Sequence, residues 1–268
     1  MRSGTQHEGA GVSEVEATGL ERAEVIVIDN EGVSEAETEL VPAEQDLLLV
    51  INDSIEARFA CSPHRIRSLI AGWLTGEGVI ETPDEFVALE TDWREMRVDI
   101  RVTDECFARV SSRIERGPIA TLGDAPITRE ADTSLEVKPI QVGELGEQFR
   151  RLYLSLRSPE RMCYLTGIAS IGEILTYGEG YHRLNSLYRA LGEMVLHRQS
   201  SERKIVLSNY GMTRSHVMKL ARAGISMAIS LTAPTSSAIK LANDYYITLA
   251  SAGLGEATRV YSAAWRLV

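Results

Sequence analysis

The sequence predicts an α/β protein, a three-layer α/β/α sandwich around a mixed sheet, preceded by a smaller N-terminal α+β part. Two observations predict it. In the second half of the chain, short apolar runs such as Ile205-Val206-Leu207 alternate with longer amphipathic stretches such as Tyr181–Leu196. That alternation marks strands of a largely parallel or mixed sheet covered by helices on both faces. In the first half, the run Leu47–Ile51, the turn Asn52-Asp53-Ser54 and the alternating Ile55, Ala57, Phe59 and Cys61 describe a β-hairpin that leads into one helix.

The remaining elements follow in order. Residues 1–23 are rich in Gly, Ser, Thr and Glu and read as a tail too polar to repay its ordering entropy. Val25–Ile28 is a first strand, closed by a turn at Asp29-Asn30-Glu31-Gly32. After the hairpin, Ser62-Pro63 supplies a helix N-cap and a first-turn proline, and Ile66, Leu69, Ile70, Trp73 and Leu74 share one helical face that ends at Gly76-Glu77-Gly78. Arg94–Thr103 and Cys106–Ser112 are strand candidates, and the stretch from Gly117 to Pro139 reads as a long connector. A helix over Val142–Leu156 is stopped by Ser158-Pro159. Strands at Met162–Thr166 and Ile171–Tyr177, the helix at Tyr181–Leu196 and the strand at Ile205–Leu207 come next. They precede a helix at Thr213–Ala223, a strand at Met227–Leu231, a helix opened by Pro234, and strands near Tyr246–Ala250 and Arg259–Ser262. The implied division is a tail at 1–23, an N-terminal α+β part with its connector at 24–140, and a C-terminal α/β ligand-binding part at 141–268.

Charge narrows the class of partner. The 268 residues carry 28 basic and 38 acidic side chains, yet residues 1–45 hold 11 of the acidic ones against only Arg2 and Arg22. The rest of the chain, with 26 basic and 27 acidic residues, is nearly neutral. It lacks the basic face of a nucleic-acid binder, while a pocket for a phosphorylated ligand stays open. No apolar stretch has the length of a membrane span and no basic-then-apolar leader is present, so a cytoplasmic protein without membrane partners is expected. The three cysteines, Cys61, Cys106 and Cys163, form no C-x-x-C, and no His-x-x-x-His occurs, so no metal site is expected. Gly-x-Ser-x-Gly, Walker and dinucleotide fingerprints are missing as well.

Ligands of open α/β sheets bind beyond the carboxyl ends of strands, where loops enter helix N-termini. Three turns qualify: Thr166-Gly167, Ser208-Asn209-Tyr210-Gly211, and Thr232-Ala233-Pro234-Thr235-Ser236-Ser237. The last offers helix-start N–H groups and hydroxyls to an anion, although the same residues also serve as a plain helix cap. Glu179, His182, Arg183 and Asn185 concentrate polarity near another helix start, as a ligand contact or as a solvated first turn. His64, His197 and His216 sit in ordinary helical contexts. Cys61 reads as a small buried hydrophobe. Cys163, in the strand that leads to Thr166, is either a buried structural thiol or one that approaches the pocket.

Several motifs in one order carry a resemblance. They are Val50-Ile51-Asn52, Ser62-Pro63, Ala71–Ile80, Lys219–Ile225, Ser230–Ile239, Ile247-Thr248-Leu249 and Val260-Tyr261-Ser262. From Gln45 onward the chain resembles the FdhD/NarQ formate dehydrogenase accessory sulfurtransferases. The resemblance implies a cytidine deaminase-like fold and a homodimer. It also implies a role in passing sulfur from a cysteine desulfurase to molybdopterin guanine dinucleotide before insertion into the formate dehydrogenase catalytic subunit. It places the cofactor on Thr166, Gly167, Glu179, Arg183, Asn185, Ser208, Lys219, Thr232, Pro234, Thr235, Ser236 and Gly253. The family's persulfide loop maps onto Ser111–Gly117, where Arg113 and Arg116 occupy the two cysteine positions. An arginine cannot form a persulfide. Two readings follow: a sulfurtransferase with sulfur relocated to a cysteine such as Cys163, or a non-catalytic relative that holds the cofactor or a nucleotide or scaffolds an oxidoreductase. In the second, Arg113 and Arg116 would contact phosphate. Deaminase chemistry is excluded by the missing Pro-Cys-x-x-Cys zinc motif.

Overall fold

A computed structural model describes residues 19–30, 32–114, 132–157, 164–252 and 257–268. The chain opens with a hairpin of β1 (Leu20–Asp29) and β2 (Gly32–Pro42), paired antiparallel with Ile26 opposite Ala36. The strand thus begins at Leu20, inside the stretch read as tail. A four-stranded sheet follows in the order β4-β3-β6-β5, built from β3 (Gln45–Ile51), β4 (Ile55–Cys61), β5 (Phe86–Asp92) and β6 (Arg97–Val102). Strands β3 and β6 run parallel while the outer pairs are antiparallel.

Two helices attend this sheet, and both correct the sequence reading. Helix α1 (Ile66–Gly76) starts three residues later than Ser62-Pro63 implies. Its N-cap is Arg65 in the left-handed region (φ 49°), while the Ser62 hydroxyl is engaged with His64 Nδ1 at 2.9 Å and caps nothing. Cys106–Ser112 is helix rather than strand, within α2 (Asp104–Ile114). Thr103 starts it by accepting the Cys106 N–H on its hydroxyl and the Phe107 N–H on its carbonyl, and Cys106 and Val110, one turn apart, are the buried face.

The second half forms a six-stranded sheet in the order β12-β11-β10-β9-β7-β8. Its strands are β7 (Tyr164–Ser170), β8 (Glu173–Gly180), β9 (Ile205–Ser208), β10 (Met227–Ser230), β11 (Thr248–Ser251) and β12 (Arg259–Val260). Strands β9, β10 and β11 are mutually parallel, and β7, β8 and β12 add antiparallel edges. The β7–β8 turn needs Gly172 at φ 98°, and the strands run to Ser170 and Gly180, four and three residues beyond the ends that the apolar runs suggest.

Alternation along each strand divides the core. Leu165, Ile205, Leu207, Met227, Ile229 and Ala250 face Val142, Leu145 and Phe149 of α3 (Pro139–Leu156). Ile168, Val206, Ala228 and Leu249 face the other way, into the core shared with α4 (Arg183–Leu196), α5 (Arg214–Ala223) and α6 (Ser236–Asp244). These are the three layers expected, and a sheet covered on both sides explains the unbroken apolar run at Ile205–Leu207. The second core cluster continues through α1 into β3 and β6, so one apolar mass joins the two sheets. Where α1 meets α4, a Cβ on Gly72 would fall on the Tyr188 carbonyl and one on Gly192 on the Ser68 carbonyl. Among the described residues, no helix is long and apolar enough to cross a membrane.

Candidate functional site

Register brings one row of hydroxyls across the six-stranded sheet: Thr166 pairs with Ser208, Ser208 with Ser230, and Ser230 with Ser251. All four are buried, and each is spent on the protein itself. Ser208 donates to the Tyr210 carbonyl at 2.7 Å and Ser230 to the Thr232 carbonyl at 2.6 Å, so each strand-end serine folds its own turn back. Ser251 lies 3.2 Å from the Tyr261 hydroxyl, and Thr166 meets Ser186 and Tyr210 at 2.9 and 2.7 Å.

These bonds hold the turns at the carboxyl edge of β9 and β10, the position where strand polarity places a ligand crevice. The turn after β9 is clamped to β7 by Asn209 Oδ1, which accepts the Leu165 N–H at 2.9 Å. It is pressed against the turn after β10, where Gly211 has no room for a side chain beside the Ala233 carbonyl. The Met212 carbonyl takes the Thr235 N–H at 2.9 Å. Thr235 is the N-cap of α6, its hydroxyl accepting the Ala238 N–H at 3.3 Å, and Thr232, Thr235 and Ser236 are exposed. The other wall is the start of α4. Tyr210 donates its hydroxyl to the Arg183 carbonyl at 3.1 Å, and the exposed Arg183 guanidinium lies 5.1 Å over the Tyr164 ring. Tyr164 meets Tyr210 edge-on at 5.6 Å, and Tyr210 meets His216 at 5.1 Å. Burial pushes the Tyr210 hydroxyl up to about 12, so it stays a neutral hydrogen-bonding group.

Of the residues singled out in the sequence, Thr232, Pro234, Thr235 and Ser236 lie in the turn after β10 and the start of α6, and Arg183 opens α4 with its carbonyl held by Tyr210. Others do not. Thr166 and Gly167 are not a turn; they lie inside β7, Thr166 sealed under Tyr210 and Gly167 against the Phe149 ring on the α3 side. Ser208 supports the turn from beneath. Glu179 belongs to β8, its carboxylate 3.9 Å from His64 Nε2, while Asn185 is buried and donates to the Ala60 carbonyl at 3.3 Å. Lys219 is buried on Glu77 at 2.5 Å, where Glu77 also holds Arg222 at 2.9 Å and the Tyr188 hydroxyl at 3.1 Å. Burial lowers the Lys219 pKa and Glu77 pulls it back up. That lysine ties α5 to the end of α1 and is not free to meet a ligand. His182 is exposed, 2.6 Å from Glu44. Cys163, Arg116 and Gly253 lie outside the described residues, as does the Arg113 side chain. Sequence reasoning named the turn that holds Tyr210 but missed Tyr164 and the contact of Tyr210 with His216. The Thr213-x-x-His216 spacing of a helix start was the available signal.

The thiols of Cys61 and Cys106 are closed to sulfur chemistry. Both are fully buried; burial pushes the Cys61 thiol up to about 12, and the Cys106 Sγ lies 3.6 Å from the Val79 carbonyl. Neither offers the exposed thiolate that accepts sulfur. No group of three His, Cys, Asp or Glu is placed to hold a metal among the described residues. A cavity of about 820 Å³, lined in part by Glu81, Asp132, Arg198, Gln199 and Gly224, lies where the chain enters β9 and β10, at the edge opposite the crevice. Strand polarity favours the carboxyl edge over this cavity.

The fold defines an α/β sandwich protein with polar turns at the carboxyl edge of its parallel strands. The chain belongs to the FdhD/NarQ family, whose model matches residues 42–268. It is 24% identical to the sulfur carrier protein FdhD of Staphylococcus haemolyticus, over 79% of this chain and 83% of that protein. It is 22% identical to the sulfur carrier protein FdhD of Bacillus pumilus, over 91% and 96%. A crystal structure from Desulfotalea psychrophila, described as a formate dehydrogenase accessory protein, superposes with a TM-score of 0.69 at 23% identity, covering 93% of this chain and 99% of that one. That likeness shows the fold.

Proposed function

We propose that this chain is a formate dehydrogenase accessory protein that holds molybdopterin guanine dinucleotide, as cargo, in the crevice at the carboxyl edge of β9 and β10. The observation that carries the reading is the exposure of Arg183, seated on Tyr164, and of the Thr232, Thr235 and Ser236 hydroxyls at the start of α6, on elements that the turn after β9 ties together through Tyr210 and Met212. Arginine and helix-start hydroxyls are the groups that phosphate oxygens select. Family membership supports it, since the curated relatives are sulfur carriers. The partners that follow are a cysteine desulfurase and the formate dehydrogenase catalytic subunit, and the working form is a homodimer.

The sulfur step falls to Cys163, because the other two thiols are buried. Its thiolate attacks the terminal sulfur of the desulfurase persulfide, the donor's S–S bond breaks, and the donor leaves as a thiolate. A second reading is favoured by the lack of any C-x-x-C in the sequence: a holder of the cofactor without sulfur chemistry. Mass spectrometry after incubation with a cysteine desulfurase and cysteine separates the two. One added sulfur on the native chain and none on Cys163→Ser supports the carrier. An unmodified native chain leaves the holder.

A further inference from the structure

We infer that the β1–β2 hairpin is a docking arm, and that its occupant is the basic entrance of the protein that takes the phosphorylated cargo from this chain. The inference rests on the proposed function and deepens it, by naming the surface on which the receiver sits. The hairpin is a two-stranded sheet of its own and, among the described residues, shares no ladder with another sheet. Its strands of 10 and 11 residues extend over about 30 Å. A ribbon of two strands is marginal by itself in water. Only its base is secured by the body. Leu20 and Ala43 are buried, the Ala43 N–H donates to the Gly19 carbonyl at 2.9 Å, and a Cβ on Gly19 would strike the His64 ring.

Beyond the base the ribbon stands clear. Ile26 and Ile28 are 67% and 70% exposed, and Glu21, Glu24, Glu37, Glu39 and Leu40 are exposed around them. Register puts Glu24 and Ile26 on one face with Ala36, Thr38 and Leu40, and Glu37 and Glu39 on the other. Charge then selects what covers these apolar side chains. Residues 20–42 hold seven acidic side chains against Arg22, whereas the chain beyond residue 45 is nearly neutral. Two such ribbons repel each other, and the body of a second copy brings no net positive charge to offset them. A protein that receives a guanine dinucleotide must draw in an anion, so its entrance is basic and complements the ribbon. A desulfurase, whose substrate cysteine has no net charge, has no such requirement. Position agrees with charge. At the foot of β2, Glu44 lies 2.6 Å from His182, the N-cap of α4 and the residue before Arg183. A protein seated at the foot of the arm therefore reaches the edge where the cargo is held.

The test measures binding of the purified formate dehydrogenase catalytic subunit to the full-length chain by biolayer interferometry. It compares the native protein with the double variant Ile26→Ser, Ile28→Ser and the triple variant Glu24→Gln, Glu37→Gln, Glu39→Gln, each confirmed as folded by circular dichroism. We expect affinity for the subunit to fall about tenfold in each variant. Native affinity also falls as salt rises from about 50 to about 300 mM, and the glutamine variant responds less. Affinity for GDP is the same in all three proteins, because neither variant touches Arg183 or the start of α6. Equal affinity for the subunit in native protein and variants, or native binding that ignores salt, overturns the inference and leaves the proposed function standing. A native protein that binds GDP and not the subunit does the same. A native protein that binds neither overturns the proposed function, and this inference with it.

Discussion

Glu77 shows how a single residue can mislead when its partners are distant in sequence. It follows α1 directly, yet its carboxylate reaches Lys219 and Arg222 on α5, 142 and 145 positions away, and the hydroxyl of Tyr188 on α4. Nothing local in the sequence announces that contact, so Lys219 looked available to a ligand. Removing one member of a buried ion cluster strands the others, at a cost of roughly 3–5 kcal/mol. Glu77→Gln is expected to lower stability by that amount in urea denaturation, and a loss below about 1 kcal/mol would show that the cluster is not a structural clamp.

At the scale of elements, the contact between α1 and α4 is set by two glycines. Alanine for glycine in a helix gains about 1 kcal/mol of propensity. At Gly72 the new Cβ would sit on the Tyr188 carbonyl, where overpacking costs about 3 kcal/mol or more. Steric cost wins, and Gly72→Ala is expected to lower the melting temperature. Gly143→Ala, on the open face of α3 with nothing near the new Cβ, is the control and is expected to raise it. Equal shifts in both would refute the close-packing account.

Elements were legible where burial is one-sided or complete. Residues Leu184, Leu187, Leu191 and Val195 declare α4, and Ile205-Val206-Leu207 declares a doubly covered strand. Legibility failed where tertiary partners decide the outcome. Cys106–Ser112 became helix because Thr103 caps it, β5 carries a half-exposed pattern, and Ser62 was drawn away from its cap position by His64 and the buried Arg189. The turn Thr232–Ser237 was legible because turns after parallel strands are positional. The stacking of Tyr164 on Tyr210 was not, because it depends on antiparallel β7 lying beside β9.

At the scale of the molecule, one core joins a four-stranded and a six-stranded sheet and leaves polar, partly exposed turns at the carboxyl edge of β9 and β10. The sequence contains no C-x-x-C, while the family's fold is kept. The central claim is that this edge still binds its phosphorylated cargo, and calorimetric titration with GDP tests it most directly. The account predicts a Kd tighter than about 100 μM, weakened at least tenfold in Arg183→Ala. No detectable heat from the native protein, or equal affinity in Arg183→Ala, would contradict it.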